Sequence, residues 1–95
     1  MSGYVYIMTN RPNGVFCTGA TSDLARRVHE HRTGLTPGFT RRYGLKRLVW
    51  YEPHDDVRSA IQRETNIKHW SRAWKAQMII DSNPGWADLY ETLNG

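Results

Sequence analysis

The sequence has a single cysteine, Cys17, among its 95 residues. A lone thiol forms no internal disulfide, and a cysteine-rich zinc site is excluded with it, so packing must supply the stability. No apolar run approaches the ~18 residues of a membrane-spanning helix, and the mean hydropathy is −0.67. A membrane-spanning protein or a membrane partner is therefore not expected. The start, Met1-Ser2-Gly3-Tyr4, carries neither the basic segment nor the apolar stretch of a secretory leader, and a cytoplasmic location is the expectation. Two packed domains do not fit this length, and repeats, linkers and low-complexity stretches are lacking too. One domain spanning 1–95 is expected.

What is present is a hydrophobic share of 39%, ordinary for a globular fold, and a net charge of +4. The charge is unevenly placed. Residues 21–50 hold seven Lys and Arg against Asp23 and Glu30, a local excess of +5, while 76–95 hold only three acids, Asp81, Asp88 and Glu91. The basic block is Arg26, Arg27, Arg32, Arg41, Arg42, Lys46 and Arg47, interleaved with glycines, threonines, Phe39 and Tyr43. Cations, flexible backbone and stacking rings suit a nucleic-acid strand. A solvated loop with ordinary surface arginines fits the composition equally well. Lys68, Arg72 and Lys75 extend the cationic surface or line a solvated helix face.

Tyr4–Met8 reads as a strand, Asn10–Gly14 as a tight turn built on its Asn-Gly pair, and Val15–Gly19 as the returning strand. Gly19 inside a strand marks a bulge or the close approach of another group. A helix over Asp23–Arg32 follows, capped by Thr21 or Ser22. A long loop reaches Lys46, and Leu48–Tyr51 forms a third strand ended by Pro53. Asp55 or Asp56 caps a helix over Val57–His69, and another runs from Arg72 to Ile80, stopped before Pro84. The order of elements is that of an α+β fold. Of Trp50, Trp70, Trp74 and Trp86, most are expected in the core.

Three polar residues interrupt apolar helix faces. Leu24 and Val28 share a stripe with Arg27 and His31, and Glu64 takes an inward place beside Val57, Ala60, Ile61 and Ile67. Leaving a charge buried and unpaired costs several kcal/mol, so these groups pair, open into a cleft or hold a ligand. An Arg27–Glu64 ion pair between helices is one reading. The other is a site for metal-assisted phosphodiester hydrolysis, with a cation for the phosphate, a carboxylate for a metal ion and a phenol for water.

The order of these parts resembles the GIY-YIG nuclease superfamily, in particular its small stand-alone bacterial members. Tyr4-Val5-Tyr6 stands where that family has Gly-Ile-Tyr, and Cys17-Thr18-Gly19 where it has Tyr-Ile-Gly. Arg26-Arg27-Val28, His29-Glu30-His31, the Pro37–Gly44 loop, Leu48–Glu52, Arg63-Glu64, Trp70–Lys75, Asn83-Pro84 and Asp88-Leu89 follow in the family's order. The resemblance implies a small three-stranded antiparallel sheet flanked by helices. It implies Tyr6, Arg27 and His31 as catalytic residues, Glu64 as ligand of one divalent ion, Mg²⁺ or Mn²⁺, and Gly19 and Asn83 as supports of the pocket. Its partner would be DNA, branched or single-stranded, or RNA, held by Arg26, Arg32, Phe39, Arg41, Arg42, Tyr43, Lys46 and Lys68.

The departures from the pattern carry weight. Cys17 occupies the place of the second-motif tyrosine, and a thiol is shorter, softer and a weaker hydrogen-bond partner than a phenol. The resemblance thus leaves two outcomes, an endonuclease or a nucleic-acid-binding module that has lost catalysis. A protein-interaction adaptor using its tryptophans is a third. No separate recognition domain fits in the chain, so specificity would come from this fold, self-association or a protein partner.

Overall fold

The computed structural model describes residues 2–34 and 42–93, and places β1 (Gly3–Thr9) in the middle of a three-stranded antiparallel sheet of order β2-β1-β3. The sequence of β1 explains its central place. Val5 and Ile7 point to one face and Tyr6 and Met8 to the other, all buried, so each face of the strand needs a cover. β2 (Phe16–Thr21) returns along one side through the expected turn, in which Gly14 N–H donates to Arg11 O at 2.9 Å and Asn13 takes the left-handed conformation, φ 53°. Tyr6 lies opposite Gly19 on β2 and opposite Tyr51 on β3 (Arg47–His54).

β3 is longer than its sequence suggests. Pro53 lies inside it, paired with Tyr4, because β3 is an edge strand and an edge tolerates a residue with no N–H. Between Ile7 and Met8 the register shifts, with Ile7 opposite Trp50 and Met8 opposite Leu48, so Val49 is an extra, bulged residue. Val49 and Trp50 consequently join the same apolar cluster.

That cluster unites Val5, Ile7, Val49 and Trp50 with Ala60, Ile67, Ile79 and Trp86 under α2 (Val57–Lys68) and α3 (Arg72–Ser82). Gly3 lets α2 close on the sheet, since a Cβ there would stand 2.7 Å from Val57 Cα. On the opposite face Tyr6, Met8, Leu45 and Leu48 pack with Leu24 and Val28 of α1 (Leu24–Thr33). A short α4 (Tyr90–Leu93), not foreseen in the sequence, adds Tyr90 and Leu93 to that side.

The caps are largely those a local reading offers. Asp56 accepts from Arg58 N–H at 2.8 Å and Ser71 from Trp74 N–H at 3.3 Å. For α1 the cap is Asp23, which accepts from Arg26 N–H at 3.2 Å, rather than Thr21 or Ser22. Thr21 instead accepts from the backbone N–H of Asp23 at 3.1 Å and sets the capping residue in place. Trp50 and Trp86 are buried and Trp70 packs against the core, so most of the tryptophans are core residues as expected, and Trp74 is exposed. No helix among the described residues is long and apolar enough to cross a membrane.

Candidate active site

Tyr6 is the centre of the site. Its neighbour across the sheet, Gly19, lacks a side chain because the Tyr6 ring occupies the space: a Cβ there would stand 2.4 Å from Tyr6 Oη and 2.5 Å from Cζ. A ring laid over an adjacent strand reaches toward α1. There His31 Nε2 lies 3.2 Å from Tyr6 Oη, with the two rings tilted at 50° and 5.9 Å between centroids. One turn earlier on α1, Arg27 hydrogen-bonds the same phenol. A guanidinium only donates, so Tyr6 Oη accepts from Arg27 while sharing a hydrogen bond with His31 Nε2.

The titration of these groups follows from burial. Removal from water pushes the Tyr6 phenol up, and the hydrogen bond and charge of Arg27 oppose that rise. Burial also pushes His31 down, assisted by the Arg27 charge, with Glu30 acting in the opposite sense. At neutral pH, Tyr6 is therefore protonated and His31 is neutral. Arg27 is held charged, first by Tyr6 and then by Glu30, whose Oε1 lies 3.4 Å from its Nη1.

Cys17 sits half-buried on β2, two residues before Gly19. Burial pushes its thiol up, the charges of Lys68 and Arg27 pull it down, and Glu64 raises it again. At neutral pH it is a neutral thiol. Glu64 belongs to α2 on the other face of the sheet, yet its charge bears on both Cys17 and Tyr6. Its carboxylate pairs with Lys68 at 3.0 Å, one turn along the helix. Each inward charge thus has an ion-pair partner on its own helix, Glu30 for Arg27 and Lys68 for Glu64.

Five of the residues singled out in the sequence, Tyr6, Cys17, Gly19, Arg27 and His31, therefore share one neighbourhood, and the charge of Glu64 reaches it from α2. Asn83 has other work. Its Nδ2 donates to Val49 O at 3.1 Å and Ala87 O at 2.9 Å, while its Oδ1 accepts from Ala87 N–H at 3.0 Å. Because Val49 is the bulged residue, Asn83 supplies a donor where the ladder is interrupted and supports the sheet instead of the pocket. Arg32 is likewise committed: it pairs with Asp88, donates to Lys46 O at 3.1 Å and lies 4.7 Å from the Tyr90 ring centroid. It ties α1 to the chain end and is not a free contact for a nucleic acid.

Arg26 is exposed and loosely paired with Glu30 at 3.7 Å. Arg42 and Tyr43 are exposed, with the guanidinium 5.6 Å from the ring centroid, and Lys46 is exposed as well. Phe39 and Arg41 lie outside the described residues. Two partners escaped the sequence reading. Glu30 stands at i+3 and i+4 from Arg27 and Arg26, a spacing that identifies it. Asp88, which also accepts from Leu48 N–H at 3.2 Å and Tyr90 N–H at 3.1 Å, has no local signal linking it to Arg32, 56 positions away.

A three-stranded sheet with helices on both faces, carrying Tyr, Arg, His and Glu around a glycine of the second strand, defines a small α+β domain of nuclease type. The family model of the GIY-YIG catalytic domain matches residues 2–77, and the chain belongs to that family. A UPF0213 protein of Natronomonas pharaonis is 37% identical over 78 residues, covering 82% of this chain and 91% of its own. One from Clostridium perfringens is 36% identical over 76 residues, covering 80% and 81%. The solution NMR structure of a UPF0213 protein from Bacillus halodurans matches with a TM-score of 0.57 at 32% identity and covers 93% of both chains.

Proposed function

We propose that this chain is an endonuclease that hydrolyses phosphodiester bonds of DNA, branched or single-stranded, or of RNA. The observation that carries the reading is the buried Tyr6 phenol held between Arg27 and His31 above Gly19. Arg27, whose side chain keeps 37% of its surface open, faces the phosphate and stabilises charge gathering on its oxygens during substitution. Tyr6 accepts a hydrogen bond from the attacking water. Its raised pKa rules out a standing phenolate as the base, so the phenol takes the water's proton while passing its own to neutral His31. His31 is the terminal base.

The family implies one divalent ion. Among the described residues no group of three or more His, Cys, Asp or Glu stands ready to hold a metal. Mg²⁺ does not require one, because it keeps several waters and takes one or two carboxylates together with substrate phosphate oxygens. Glu64 fits that mode as the sole hard ligand, whereas Cys17 is too soft for it. When bound, the ion, Mg²⁺ or Mn²⁺, would neutralise charge on the substrate phosphate. Lys68 orients the Glu64 carboxylate.

The test is cleavage of labelled single-stranded, duplex, flap and junction substrates with Mg²⁺. Glu64→Ala and Arg27→Ala should each lower the rate by about 10²-fold or more. Undiminished cutting by the double variant would refute the assignment. The neutral, half-buried Cys17 thiol favours a second reading, a nucleic-acid-binding module without catalysis. That reading expects salt-dependent binding without cleavage, and cleavage gained by Cys17→Tyr.

A further inference from the structure

Away from the candidate active site, the charge is unbalanced at the β1–β2 turn. A cleft of about 480 Å³ is bounded by Arg11, Asn13 and Gly14 of the turn, Phe16 of β2, and Arg72 and Lys75 of α3. Among the described residues, three cations line it and no carboxylate does. The cleft that holds Arg32, Lys46 and Arg47 is different, since it contains Asp88, which neutralises Arg32.

Arg72 is fixed in place before any ligand arrives. Its guanidinium lies 4.0 Å from the Phe16 ring centroid, and Nη2 donates to Asn13 O at 2.7 Å and also to Gly14 O. These bonds use Nη2, so Nε and Nη1 keep donors for an anion, on a planar group whose orientation is already set. Lys75 connects this cleft to the candidate site. Its Nζ donates to Lys68 O at 3.5 Å, and Lys68 in turn pairs with Glu64 and lowers the Cys17 thiol. Basic side chains therefore run beside β2, an edge strand, from Glu64 to the turn.

We infer that this cleft is a second phosphate-binding site, holding one backbone phosphate of a nucleic-acid strand whose neighbouring stretch crosses the candidate active site. The inference rests on the nucleic-acid reading above. Arg72 meets the phosphate oxygens through its preset donors, and Arg11 and Lys75 add charge. Contacts of this kind give a strand direction and register without reading its bases.

The experiment measures binding of a labelled single-stranded oligodeoxynucleotide by anisotropy over a range of salt, for the parent and for Arg11→Ala/Lys75→Ala. Both substitutions spare the groups assigned to catalysis and the Arg72 bonds that hold the turn, and thermal unfolding verifies that the variant folds. The dissociation constant should rise about tenfold or more, and the slope of log affinity against log salt should fall by about 0.7, the share of one phosphate of a single strand. Arg11→Lys/Lys75→Arg, which keeps the charge, should retain the parent's slope. Equal affinity and slope for parent and alanine variant overturn the inference while leaving the hydrolase reading to its own Arg27 and Glu64 test. A parent that binds no strand overturns both. Inorganic phosphate is titrated in parallel, read by the Arg72 Nε–H resonance. A response to phosphate with none to the oligonucleotide shows a small-anion site and also overturns the inference.

Discussion

Replacing Gly19 by alanine tests whether the Tyr6 ring, and not the backbone, requires glycine there. Gly19 is not among the glycines of positive φ, which are Gly34 and Gly44 among the described residues, so its backbone suits an L-residue. On conformational grounds alone, Gly→Ala inside a strand gains roughly 0.5–1 kcal/mol. Against that gain stands a methyl group 2.4 Å from Tyr6 Oη and 2.5 Å from Cζ. Overpacking of a filled site costs about 1–3 kcal/mol, and a ring displaced from His31 loses a hydrogen bond worth about 1 kcal/mol. The net expectation is a loss of about 1–3 kcal/mol, or roughly 5–20 °C in Tm for a domain of this size. Urea and thermal unfolding followed by tryptophan fluorescence measure it. The control is Tyr6→Leu, which removes the ring and its hydroxyl. In that background Gly19→Ala should be neutral or stabilising, so the two changes should be strongly non-additive. A Gly19→Ala protein as stable as the parent, or a penalty that persists unchanged beside Leu at position 6, would refute the reasoning.

Burial lowers the His31 pKa, so below about pH 6.5 the unfolded chain binds a proton that the folded chain resists. The stability contribution of neutral His31 is complete above the unfolded value and is lost as pH falls through the lower folded value. Unfolding curves between pH 7 and 5 should steepen this loss in the parent relative to His31→Gln, and identical pH profiles would count against it. Asn83→Ala leaves the Val49 and Ala87 groups without their partner and should cost about 2–3 kcal/mol of stability. Because Asn83 supports the sheet, nuclease activity per folded molecule should stay near the parent's value below the new Tm, and a loss comparable to that of Arg27→Ala would return it to the pocket.

Local patterns made much of the fold legible. The alternation in Tyr4–Met8, the Asn-Gly turn and the helix stripes place β1, β2, α1, α2 and α3 within a few residues of their observed bounds. The differences from that reading have separate sources. Pro53 stays in a strand because β3 has a free edge, a property of strand order. Asp23 caps α1 because Thr21 is spent on fixing it. Trp74 is the exposed one of the four tryptophans because α3 buries Ile79 and turns that side chain outward.

The sequence by itself determined that an α+β fold forms, that Arg27, His31 and Glu64 stand on otherwise apolar helix faces, and that a cysteine occupies the second-motif tyrosine position. These are readable because side-chain periodicity and residue order are local properties. Only the tertiary structure decided how the charges are spent. It gave Arg32 to Asp88 and Asn83 to the bulge at Val49, set Tyr6 over Gly19 against His31, and gathered Arg11, Arg72 and Lys75 without an acid. Ion pairs and hydrogen bonds depend on separations of a few ångströms between residues tens of positions apart, and such separations exist only after the sheet and helices have packed.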